Sequence, residues 1–225
     1  MTSKMISAAA VAAAIASSAI AATPPPAGAQ SGWAVVQDDG TLVRGKNATG
    51  VIHLSTGVYE VDFTTSIAKC SFTGTIGLPG SSGTNSPGFI TVAGRGNNAD
   101  GVFVKTYDQA GASTDLGFHL NVRCKSKNAP THFAVVNSDG SLARGRDATS
   151  ASQLDDPGVY QVDFNKNITA CGYFLTIGLS GTVGSSDPGT VTVVGRSDDN
   201  KGLYIQTFDH KGHPANLGFH VIVQC

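Results

Sequence analysis

"GVYEVDF" at positions 57–63 returns as "GVYQVDF" at 158–164, with six of seven letters unchanged. The alternation inside it decides the fold. In an extended chain successive side chains point to opposite faces, so Tyr59, Val61 and Phe63 share one side and Val58, Glu60 and Asp62 the other. The second copy sorts the same way, with Tyr160, Val162 and Phe164 against Val159, Gln161 and Asp163. An aromatic and aliphatic face backed by a mixed one is the pattern of a strand with one side in a core, which leaves Glu60 and Asp62 on the exposed side.

The repeat extends outward from this stretch. "AVVQDDGTLVRG" (34–45) matches "AVVNSDGSLARG" (134–145), "ITVAGR" (90–95) matches "VTVVGR" (191–196), and "LGFHLNVRC" (116–124) matches "LGFHVIVQC" (217–225). The offset is 100 early and 101 later, which places one inserted residue near Asp155–Pro157. Repeats this long are two domains, because solenoid repeats run about 20–50 residues. The expected organisation is a first domain over 33–124, a linker over 125–131 and a second domain over 132–225. Within unit one, period-two runs predict eight short strands: Trp33–Gln37, Leu42–Gly45, Val51–Leu54, Val58–Phe63, Cys70–Leu78, Phe89–Gly94, Val102–Tyr107 and Gly117–Cys124. No stretch has a helical period. The expectation is an all-β chain of two tandem β-sandwich domains, jelly-roll or immunoglobulin-like, each with one disulfide.

Composition fits. Charged residues are 14% of 225 and glycine is abundant at 28, which favours strands joined by tight turns. A weakly basic start, an Ala-rich apolar run over Met5–Ala22 and the small residues Ala27-Gly28-Ala29 read as a signal peptide over 1–29. Cleavage after Ala21 is the alternative to cleavage after Ala29. Removing it leaves 14 basic and 16 acidic residues, a net charge of −2. No second apolar run approaches membrane length, and no basic patch points to nucleic acid. The expected location is secreted, extracellular or at the cell surface, with no membrane after cleavage. Four cysteines in an oxidising compartment form disulfides. The equal spacing of the repeat selects Cys70 with Cys124 and Cys171 with Cys225, against two cross-unit pairings.

These motifs, from "AVV-x-x-DG-x-L-x-RG" through "G-V-Y-x-V-D-F" and "TIG" to "FH-x-x-V-x-C", resemble modules in secreted proteins of high-GC Gram-positive bacteria. The resemblance covers nearly the whole chain after residue 29 and implies no assigned activity. A weaker similarity, to the G-x-Y-x-F strand of C1q/TNF-type jelly rolls, implies a β-sandwich and no ligand.

Candidate chemistry is sparse. Only His119 and His220, of six histidines, occupy equivalent positions. No G-x-S-x-G elbow accompanies them, so they read as strand histidines on an outer face, hydrogen-bonded locally, rather than as catalytic groups. His210 and His213 form H-x-x-H in a turn, half of what a metal site requires. Asp38-Asp39, Asp155-Asp156 and Asp198-Asp199 lack the spacing of a calcium loop and read as turn residues. Arg44, Arg144, Arg95 and Arg196, with Asp62 and Asp163, read as cross-strand ion pairs on exposed faces. No catalytic residue, cofactor or metal is expected. Loops on a rigid scaffold carry binding function, so the contact residues expected are Ser81, Ser82, Thr84 and Asn85 in the first unit and Ser185, Ser186 and Asp187 in the second. The functional expectation is a non-catalytic two-domain binding or adhesion module for an extracellular glycan, envelope polymer or protein. The alternative is a structural or assembly component of the cell surface or of a secreted complex, with a hydrolase a distant third.

Overall fold

The computed structural model describes residues 29–81, 83, 86–125 and 131–225. The signal-peptide reading lies outside these residues except for Ala29, as does most of the linker. Among the described residues there is no helix, and hence none long and apolar enough to cross a membrane.

The first unit contains β1 (Gly32–Val36), β2 (Leu42–Lys46), β3 (Ala48–Ser55), β4 (Val58–Phe63), β5 (Ser71–Ile76), β6 (Gly88–Arg95), β7 (Asn98–Asp108) and β8 (Phe118–Arg123). The second repeats them as β9 (Thr131–Val136), β10 (Leu142–Arg146), β11 (Ala148–Gln153), β12 (Val159–Phe164), β13 (Gly172–Ile177), β14 (Gly189–Gly195), β15 (Gly202–Asp209) and β16 (Phe219–Gln224). All eight strands expected in unit one are present, with β3 and β7 longer than the alternation indicated. Each unit stacks two four-stranded antiparallel sheets, β2-β1-β8-β5 on β3-β4-β7-β6 and β10-β9-β16-β13 on β11-β12-β15-β14.

The quoted strands are β4 and β12, and their expected core faces are fully inward. Tyr59 and Val61 are 0% exposed, as are Tyr160 and Val162. They meet Phe118, Leu120 and Val122 from the facing sheet, and Phe219, Val221 and Val223 in the second unit. A buried tyrosine also needs a partner for its hydroxyl. Tyr59 donates to the Asp38 carbonyl at 2.7 Å and Tyr160 to the Ser138 carbonyl at 2.9 Å. Each motif therefore ties its sheet to the β1–β2 or β9–β10 turn of the other. The chain changes sheets between β2 and β3 through Asn47, and between β10 and β11 through Asp147, both in the left-handed region (φ 60° and 61°). Asn and Asp tolerate that conformation better than most side chains.

Both disulfides are formed as expected, Cys70–Cys124 and Cys171–Cys225, each spanning 54 positions. They fasten the start of β5 to the end of β8, and β13 to β16. Closing such a loop is worth about 4 kcal/mol in the chain-entropy account.

Candidate functional site

β5 lies at the edge of its sheet. It pairs with β8 through Phe72↔Val122 and Gly74↔Leu120, so alternate N–H groups along its other side have no strand to bond. Bare edges invite pairing with another chain unless covered. Here the second unit covers the edge with side chains. The Phe72 N–H donates to His220 Nδ1 at 2.9 Å, and the Gly74 N–H to Thr176 Oγ1 at 2.9 Å. The Thr176 hydroxyl returns a bond to the Gly74 carbonyl at 3.2 Å, and Arg144 Nε donates to the Cys70 carbonyl at 2.8 Å. The Arg144 guanidinium also lies 5.7 Å from the Phe72 ring centre. On the neighbouring edge, the Leu179 N–H donates to the Val92 carbonyl at 2.9 Å and the Gly94 N–H to the Gly181 carbonyl at 3.1 Å.

Arg144, His220 and Thr176 sit on the outer face of the β10-β9-β16-β13 sheet, alternating with its core residues. Their neighbours on that face, Phe133, Val135 and Ile222, are at most 1% exposed. Burial and the facing Arg144 cation hold the His220 imidazole down to about 3, so the ring is neutral. Its Nε2 donates to the Leu179 carbonyl at 3.0 Å, which leaves Nδ1 as the acceptor for the strand edge. Burial likewise lowers Arg144 to about 10.

The first unit carries the same face, and there it is open. His119 Nε2 meets the Leu78 carbonyl at 3.2 Å, as His220 meets Leu179, and Arg44 Nη1 meets the Pro79 carbonyl at 2.6 Å as Arg144 Nη1 meets Ser180 at 2.5 Å. The groups that grip the strand edge in the second unit are idle in the first. Among the described residues His119 Nδ1 has no partner, Arg44 is exposed, and Thr75 (the counterpart of Thr176) is exposed. His119 and Thr75, together with Trp33, Thr73 and Asn121, border a crease of about 360 Å³, whose far wall is Phe174 and Gln224 of the second unit. Trp33 and Phe174 are 39% and 52% exposed.

The histidines therefore occupy the outer strand face, as the sequence indicated. His220 bonds across the units rather than only locally, because the second unit's face is covered. The arginine reading needs correction. Arg196 pairs with Asp163 at 3.1 Å, as expected. Arg95 goes to Glu60 at 2.6 Å, while Arg44 and Arg144 bond carbonyls rather than carboxylates. Glu60, read as solvent-facing, is only 7% exposed because Arg95 and Asn98 close over it. Burial would raise the Glu60 carboxyl, but hydrogen bonds from Asn98 and Arg95 outweigh it and hold the group below its ordinary range. Asp62 is raised, by burial and then by the Glu60 charge. With Asn98 donating to both carboxylates, at 2.7 and 2.8 Å, the cluster is satisfied internally.

The paired aspartates are turn residues. Asp39, Asp139 and Asp199 accept from the N–H two positions on, in Thr41, Ser141 and Lys201. His213 bonds Asp209 within its own turn at 3.2 Å, while the His210 ring lies against Gly111 of the first unit. Among the described residues no group of three or more His, Cys, Asp or Glu is placed to hold a metal ion. Of the expected loop contacts, Ser82, Thr84 and Asn85 lie outside the described residues. Ser81, Ser185 and Asp187 are exposed. Ser186 is buried, and its carbonyl accepts from the Tyr107 hydroxyl at 2.8 Å, so this part of the second loop faces the first unit. The chain matches no protein-family model, no curated protein and no solved structure.

Proposed function

We propose that this is a secreted, non-catalytic binding protein whose binding surface is the outer face of the β2-β1-β8-β5 sheet, and that its ligand is an extended polypeptide edge. One observation carries the reading. The duplicate of this face, built from the same Arg, His and Thr, already binds a strand edge inside the molecule through the Phe72 and Gly74 amides. Recognition of main-chain groups by an edge is a recurring mode of peptide binding. Of the glycan, envelope polymer and protein expected from the sequence, this favours protein. Two disulfides suit an oxidising extracellular setting, and the resemblance to modules of secreted bacterial proteins points the same way.

Trp33 is the sole tryptophan and borders the crease, so its emission reports occupancy. A synthetic peptide of residues 71–77, SFTGTIG, is expected to shift it. The same peptide N-methylated at Phe72 and Gly74 lacks both donors and is expected to leave it unchanged. Equal shifts from the two peptides, or a shift only with envelope oligosaccharides, would overturn the reading.

A further inference from the structure

The contact between the two units is not symmetric. The first unit offers the edges of β5 and β6, and the second receives them on its outer face and on the segment after β13. A contact that joins two different surfaces of equivalent bodies is heterologous, and it leaves one surface of each kind unused at either end. Both unused surfaces keep exposed residues here, and the first unit's face is bordered on one side by Phe174 and Gln224. The receiving face of the first unit is the crease around His119. The offered edge of the second unit is β13 with β14, whose outer N–H groups at Tyr173 and Leu175 correspond to those of Phe72 and Gly74.

The pattern of exposure follows this division. Ala93 on β6 is 1% exposed and its counterpart Val194 is 57% exposed. Thr73 on β5 is 9% exposed and its counterpart Phe174 is 52% exposed. The second unit thus presents Val194 on an uncovered edge strand, where isolated proteins place charges or prolines, while Phe174 borders the His119 crease of its own chain. An exposed apolar side chain on an edge strand, beside the outward N–H groups of β13, is suited to being covered.

We infer that the ligand of the open face is a second copy of this chain, whose β13–β14 edge docks on the His119 face as β5–β6 docks on the His220 face. This rests on the reading of that face as a strand-edge receptor. Repeated, the contact joins chains head to tail, with β13 contributing Tyr173 and Leu175 N–H groups to His119 Nδ1 and Thr75 Oγ1. The intrachain contact has the help of a short linker, which supplies an effective concentration on the order of 1 mM. The contact between chains lacks that help and forms at correspondingly higher protein concentration.

The test uses the full chain and two variants. Val194→Lys charges the offered edge and leaves the His119 crease untouched, since Val194 does not line it, and Arg44→Glu/His119→Ala dismantles the receiving face. All three side chains lie outside the core, and non-reduced disulfide mapping with circular dichroism confirms folding. If the double variant fails to fold, Arg44→Glu alone serves the same purpose. Sedimentation from about 10 μM to about 1 mM, the concentration scale set by the linker, is expected to show the parent chain growing beyond a dimer. Each variant alone is expected to remain a monomer. A mixture of the two is expected to form a dimer and stop there, because one intact edge meets one intact face. A parent chain that stays monomeric throughout, or a mixture that gives no dimer while the parent associates, overturns the inference. The Trp33 peptide experiment separates the two claims. A shift with a monomeric parent removes only the self-association, whereas no shift removes the edge-receptor reading as well.

Discussion

Acidification is expected to separate the two sandwiches. Docking requires His220 to be neutral, since a protonated ring would point an N–H from Nδ1 at the Phe72 N–H it now accepts, beside the Arg144 cation. Burial first, and Arg144 second, hold the docked imidazole at about 3, against an ordinary value of about 6.5 in the undocked state. A depressed value in the docked state means that docking is fully favourable above about pH 6.5 and weakens as pH falls towards 3. Each unit in that window costs about 1.4 kcal/mol, or a factor of ten. Going from pH 7 to pH 4.5 crosses two units of it, about 3 kcal/mol and roughly a hundredfold in the docked-to-undocked ratio. Amide exchange reads this residue by residue. Protection factors at Phe72 and Gly74, corrected for intrinsic exchange, should fall by about ten per pH unit below 6.5. The Thr73 and Thr75 amides point to β8 and should hold. In His220→Asn a neutral carbonyl replaces the acceptor, so protection should be lower but flat with pH. Flat protection in the parent chain, or an imidazole that titrates near 6.5 in the intact protein, would refute the reasoning.

Arg144→Ala removes bonds to the Cys70 and Ser180 carbonyls and the contact with Phe72, and should cost about 1–3 kcal/mol in urea unfolding. Arg44→Ala, at the equivalent exposed position, should cost less than about 0.5 kcal/mol. Tyr160→Phe deletes the bond to Ser138 and should cost about 1–2 kcal/mol by the same measurement, with its β12 packing retained. Mass spectrometry of non-reduced peptides should recover Cys70–Cys124 and Cys171–Cys225 and no cross-unit peptide, and each bridge replaced by a serine pair should lower stability by about 4 kcal/mol.

The sandwich was legible in the sequence because a half-buried strand writes its burial as alternation. Tyr59, Val61 and Phe63 had no other consistent placement, and the repeated cysteine spacing chose the disulfides. The interface was not legible, for the same reason that the repeat was easy to see. Arg44 and Arg144, His119 and His220, and Thr75 and Thr176 are the same residues in the same local setting, so no periodicity separates the member of each pair that docks on the strand edge from the one that does not. Only the docking does. Traces existed in the substitutions Thr73 to Phe174 and Ala93 to Val194, where apolar bulk grows on a strand's outer face. Glu60 was misplaced because alternation assigns a face but not what covers it, and Arg95 and Asn98 reach it from β6 and β7.

The position of the last strand governs when each sandwich can form. β8 and β16 lie inside their sheets, between the first strand and the fifth, so neither sheet closes until the most distal segment of its unit arrives. Contacts of such sequence separation fold slowly. The first unit can complete its sheet while the second is still a loose chain, and during that interval its β5 edge is uncovered. Whichever His220 face reaches it first captures it. Folding at low chain density therefore favours the chain's own second half, and crowding of nascent copies favours exchange between neighbours.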